Sequence, residues 1–156
     1  MKRGANIIFG RTITLALCIL MLTACHSSSS PPLSMIDVSL YRTESTRAQP
    51  ELIDIISDTA KLDTVAHQIS EAVPVAKIPG ADKIDRLYVL QCSYDSAGKV
   101  AHTDSYMYAV AEDQSAYIKP FKLTSGYSVD LFDSEAKSAL WHKIGTEGWK
   151  AVKPLL

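Results

Sequence analysis

Cys92, His102 and Asp104 are the side chains in this chain whose types could support covalent chemistry. A thiol attacks as its thiolate, so it needs a base to take the proton and a third group to orient that base. Alternate residues of a strand share a face, which puts His102 and Asp104 together. A hairpin joining Leu87–Tyr94 to Val100–Val110 through Asp95–Lys99 then pairs Cys92 with His102. The same residues have a plainer reading, with Cys92 in the core as free cysteines usually are and His102 and Asp104 bonded to each other, to tyrosines or to water. No glycine-rich nucleophile turn or oxyanion loop accompanies the set, so a thiol-dependent enzyme stands as an alternative to a non-catalytic protein.

Other chemistry has less to build on. His67, His102 and His142 are far apart in sequence, with no His-x-x-x-His or Cys-x-x-Cys spacing, so no metal is expected. There is no Walker loop or dinucleotide fingerprint, and Asp95-Ser96-Ala97-Gly98 lacks the alternating ligands of a calcium loop, so no cofactor is expected either. His67 lies opposite the apolar stripe of its segment, and Glu112 and Asp113 read as turn residues.

The remaining reactive residue is Cys25. Lys2, Arg3 and Arg11 form a positive leading region, and the apolar run Thr12–Leu22 is shorter than the roughly 20 residues a spanning helix takes. The small residues Thr23 and Ala24 follow. The stretch Leu22-Thr23-Ala24-Cys25 resembles the lipobox of bacterial lipoproteins. That resemblance implies a signal peptide over residues 1–24 removed after Ala24, a diacylglycerol on the Cys25 sulfur, and a fatty acyl chain such as palmitate on the new amino terminus. Each buried CH₂ contributes about 0.8 kcal/mol, so several chains make a lasting membrane anchor. His26 stands where aspartate would retain an enterobacterial lipoprotein in the inner membrane, which implies an outer-membrane anchor facing the periplasm.

Removal of 24 of the 156 residues leaves 132, a length for one domain with a single core. The leader takes three of 16 basic residues and no acidic ones, so 13 remain against 17 acidic, a net charge of −4. With no basic cluster, nucleic acid is excluded as an expected partner. Cys18 leaves with the leader and Cys25 carries lipid, so Cys92 has no partner for a disulfide. Residues 25–34, with Ser27–Ser30 and Pro31-Pro32, read as a flexible tether. Fully extended it reaches roughly 30 Å at about 3.3 Å per residue.

Residues 35–156 read as one α+β domain. Ile36, Val38 and Leu40 alternate with Asp37, Ser39 and Tyr41, a half-buried strand. Leu52, Ile53, Ile55 and Ile56 fit either a short helix or a buried strand, and Pro50, which suits the first turn of a helix, favours the helix. Leu62, Val65, Ala66, Ile69 and Val73 recur at helical spacing over Leu62–Val73. The hairpin follows, with Ser96-Ala97-Gly98 as a three-residue loop. Ser115–Leu123 and Tyr127–Phe132 continue as a third and fourth strand of the meander. Asp133 or Ser134 caps a last helix ending at Ile144 before Gly145. Trp149, Val152, Leu155 and Leu156 dock back on the domain. The expected fold is an antiparallel meander of about four to five strands, packed on one face by both helices.

These features point to a lipid-anchored periplasmic protein, non-catalytic, that binds another protein of the cell envelope. An immunity or inhibitor lipoprotein acting against a periplasmic toxin or wall hydrolase is the alternative binder. A thiol-dependent enzyme using Cys92, His102 and Asp104 is the third reading. A tyrosine-rich sheet face is a candidate contact surface for protein or glycan.

Overall fold

The computed structural model describes residues 30–156, of which Pro31–Leu156 form one compact unit. The leader and Cys25 lie outside the described residues. Seven strands occur here: β1 (Leu33–Leu40), β2 (Glu51–Ile56), β3 (Val73–Pro74), β4 (Ile84–Ser96), β5 (Lys99–Ala111), β6 (Ala116–Phe121) and β7 (Lys150–Val152). All pair antiparallel in one sheet of order β2-β1-β4-β5-β6-β7-β3. Two helices, α1 (Thr59–Ser70) and α2 (Ser134–Ile144), complete an α+β unit.

The helices lie on opposite faces of the sheet, not on one. Leu87, Val89, Met107 and Ala109 pack with Leu140, Trp141 and Ile144 of α2. The residues between them, Tyr88, Leu90, Tyr108 and Val110, pack instead with Leu62 and Val65 of α1. Successive strand side chains point to opposite faces, so the apolar runs Leu87–Leu90 and Met107–Ala111 mark strands buried on both sides. Burying each such side chain contributes about 1.5–3 kcal/mol, which makes β4 and β5 the mechanical centre of the fold.

Both helices are bounded by their own side chains. An Asp58 carboxylate oxygen accepts from the Lys61 N–H at 3.0 Å, and an Asp133 oxygen from the Ala136 N–H at 2.8 Å. Gly145, at φ 74°, closes α2 by donating its N–H to the Trp141 carbonyl. Helix α1 ends before Val73, which joins Pro74 in β3.

The register of the hairpin differs from the one counted outward from a three-residue loop. Ala97 and Gly98 both have positive φ, 52° and 75°, which makes a two-residue type I′ turn between Ser96 and Lys99. A bulge at Tyr94/Asp95 then sets Tyr94 opposite His102 and Cys92 opposite Asp104. Two further expectations are corrected. Residues Glu51–Ile56 form a strand, since Leu52, Asp54, Ile55 and Ile56 pair across from β1, the β-branched isoleucines favour extended backbone, and the segment is too short to hold a helix alone. Tyr127–Phe132 forms no strand: a 3₁₀ turn at Ser125–Tyr127 leads to a single bridge between Val129 and Gln49. Tyr127, Val129 and Phe132 are held there by the core beneath α2.

Candidate functional site

The sequence-derived triad does not assemble into a working site. Cys92 has no exposure to solvent, and its burial, with the Asp104 carboxylate as a second influence, pushes the thiol up to about 12. A thiol closed off from solvent and substrate is placed as a core residue. His102 and Asp104 project outward, each about half exposed, with Nε2 and Oδ2 at 3.9 Å. The His102 ring is stacked on Tyr94, with centroids 4.4 Å apart and planes 7° from parallel. His102 therefore faces an aromatic ring and a surface carboxylate, with Cys92 opposite Asp104 rather than opposite His102.

The fold also places the histidines and the tyrosines. Among the described residues no group of three or more His, Cys, Asp or Glu side chains is arranged to hold a metal ion. His67 pairs with Glu71 on the surface of α1 at 3.2 Å. The tyrosines are inward: Tyr41, Tyr88 and Tyr108 are buried and Tyr94, Tyr106, Tyr117 and Tyr127 half-buried. Tyr41 donates to the Tyr127 carbonyl, and the Tyr108 oxygen accepts from the Leu155 N–H, tying the tail to the sheet. They serve packing, and no exposed aromatic patch results among the described residues.

What stands out is the edge strand β2, where a short helix is the favoured expectation from sequence. Leu52, Ile53, Asp54 and Ile55 are exposed in succession, the three apolar ones at 54%, 39% and 50%. Isolated exposed apolar residues are ordinary, but consecutive ones on an edge strand are not. Its pairing with β1 runs Ile56 to Ile36, Ile55 to Asp37 and Asp54 to Val38, then skips Ile53 to set Leu52 against Ser39. The bulge turns Ile53 and Asp54 to the side of α1, while Leu52 and Ile55 fall on the other side beside Ser39 and Asp37.

A groove of about 600 Å³ opens between β2 and α1. Its wall and floor are apolar, formed by Val38, Ile53, Ile56, Val65, Tyr88 and Leu155, and the charged groups Asp54 and Lys61 stand at it. The start of β2 is held firmly. Glu51 meets Arg42 at 3.4 Å and Arg47 at 3.5 Å, and the buried Gln49 side chain exchanges two hydrogen bonds of 2.9 Å with the Arg42 backbone. Such exposed ion pairs add little stability by themselves, but Gln49 also bonds Val129 through its backbone in both directions. The edge is therefore presented on a fixed support.

The signal for this edge was present in the sequence as Leu52-Ile53-Asp54-Ile55-Ile56. Its β-branched content is compatible with a strand without deciding against a helix, and its excess of apolar residues over one buried face shows only with the partner strand known. Comparison with protein-family models, curated proteins and solved structures returns no match. No helix among the described residues is long and apolar enough to cross a membrane.

Proposed function

We propose that this chain is a lipoprotein anchored through Cys25 in the outer membrane, facing the periplasm, whose folded unit binds another protein of the envelope without catalysis. The observation that carries the binding role is the open β2 edge, with three exposed apolar side chains on a fixed strand. The anchor rests on the lipobox-like Leu22-Thr23-Ala24-Cys25. Burial of Cys92 weighs against the thiol-dependent alternative.

Chain entry is compatible with this arrangement. Pro32 accepts from the Asp95 N–H at 3.1 Å and Leu33 lies opposite Tyr94, so the chain joins the sheet beside the β4–β5 hairpin. From Leu33 to Ile36, where β2 starts to pair, is about 10 Å at about 3.3 Å per residue. The edge thus stays near the tether, within reach of a membrane-associated partner. In-cell crosslinking of the full chain tests the reading, with Cys25→Ala as control. One dominant partner, lost when the anchor is removed, is the expected result; no enriched protein with either form would refute it.

A further inference from the structure

We infer that the partner is bound as an added β-strand: an extended segment of it pairs with the free edge of β2 and places alternate apolar side chains in the groove beside α1. This rests on the protein-binding reading above and specifies its chemistry. Strand addition draws affinity from main-chain hydrogen bonds and specificity from the pockets that take every second side chain. Both parts are present, since an unpaired edge adjoins an apolar groove lined by Ile53 and Ile56 of the same strand.

The hydrogen bonding at Asp54 is the most specific support. The Ile55 N–H does not serve the ladder to β1; its acceptor is the Asp54 carboxylate oxygen, at 2.8 Å. This carboxylate occupies the acceptor role that a neighbouring strand's carbonyl would fill. When a strand pairs with β2, its carbonyl takes over Ile55 N–H and the Asp54 carboxylate is released to the rim. A released carboxylate favours a Lys or Arg on the incoming segment beside the apolar residue that enters the groove. The segment is therefore extended, apolar at alternate positions, and basic at an intervening one, complementing a mature chain of net charge −4.

The same features select against a second copy of this chain. The Ile53 bulge disrupts a flat edge, a device that limits edge-to-edge association. An antiparallel pairing centred on two β2 strands would also bring two Asp54 carboxylates near each other, and like charges close across strands are destabilising.

The test uses a displayed library of random 12-residue peptides, panned on the full lipidated chain in detergent micelles. Enriched peptides should alternate apolar residues and carry Lys or Arg. Binding of a selected peptide should slow exchange of the Ile55 amide about tenfold or more. Ile55→Pro removes that donor and should weaken binding about tenfold, the scale of one main-chain hydrogen bond. Ile53→Glu leaves the backbone donors in place and should weaken it likewise, which keeps the test decisive if the proline variant fails to fold. Absence of enriched peptides, affinity unchanged in a folded variant, or an Ile55 amide protected in a dimer without peptide would each overturn strand addition. A partner captured in cells while no peptide binds this edge would overturn it and leave the protein-binding reading intact. Failure of both experiments would remove both.

Discussion

At one edge of the sheet β3 contributes two residues, Val73 and Pro74, while at the other β2 contributes six, four of them exposed in succession. The β3 edge is short and holds a proline that cannot donate, two established ways of preventing further pairing. It covers β7, which follows Trp149, a side chain buried to 1% exposure beneath α2. The β2 edge is longer, more apolar and flanked by a groove, and its guard is one carboxylate. The difference teaches that edge closure here is local: one edge is finished within the fold, and the other is left available behind a displaceable group.

Both edges depend on the same centre, and the largest predicted effect comes from titrating it. Burial raises Cys92 from 9.0 to about 12 and also raises Tyr94, Tyr106 and Tyr108 above their ordinary value. For Cys92 the folded chain keeps a proton that the unfolded chain has lost between those two values. Its contribution to stability is therefore complete below about 9 and is lost as pH rises through about 12. Circular dichroism against pH should show a flat region near neutrality and cooperative unfolding on the alkaline side, with both edges lost together. Thiol reagents should leave Cys92 unlabelled near pH 8 until denaturant is added.

Substitutions separate the edges next. Trp149→Ala should destabilise by about 3–5 kcal/mol, as for other large core truncations, seen as a lower urea midpoint at unchanged slope. By the same measurement Leu52→Ser should lie within about 0.5 kcal/mol of the parent, as surface changes usually do. Equal losses would remove the distinction between a structural edge and a free one.

Binding sharpens the contrast at smaller energies. Paired Leu52→Asp and Ile55→Asp changes should reduce partner capture about tenfold, equivalent to about 1.4 kcal/mol, while the fold is retained. The smallest effect is expected at the closed edge: Val73→Thr should change neither capture nor stability by more than about 0.5 kcal/mol.

Much of the scaffold was legible from local signals. Asp133 and Gly145 bound the last helix as capping rules require, and the Leu62, Val65 and Ile69 spacing marked α1. The hairpin was legible too, but its register was not, because Ala97 adopts φ 52° and a bulge at Tyr94/Asp95 restores the strand phase after a two-residue turn. Helix placement failed for a related reason. Tyr88, Leu90 and Cys92 alone suggest one buried face, whereas Leu87 and Val89, which alternate with them, are equally buried. Continuous apolarity, rather than alternation, carried the information that both faces are covered. The candidate site was hidden because Leu52–Ile56 satisfies either secondary structure in isolation; only pairing with β1 resolves it.

The most direct test places a photoreactive side chain at Leu52 or at Val73 in the full-length chain and compares crosslinks formed in cells. Both positions are exposed, at 54% and 63%, so accessibility alone would label both. A dominant protein adduct from position 52 and none from position 73 is the predicted result. Equal adducts from both, or an adduct from position 73 alone, would contradict the assignment of the β2 edge as the binding surface.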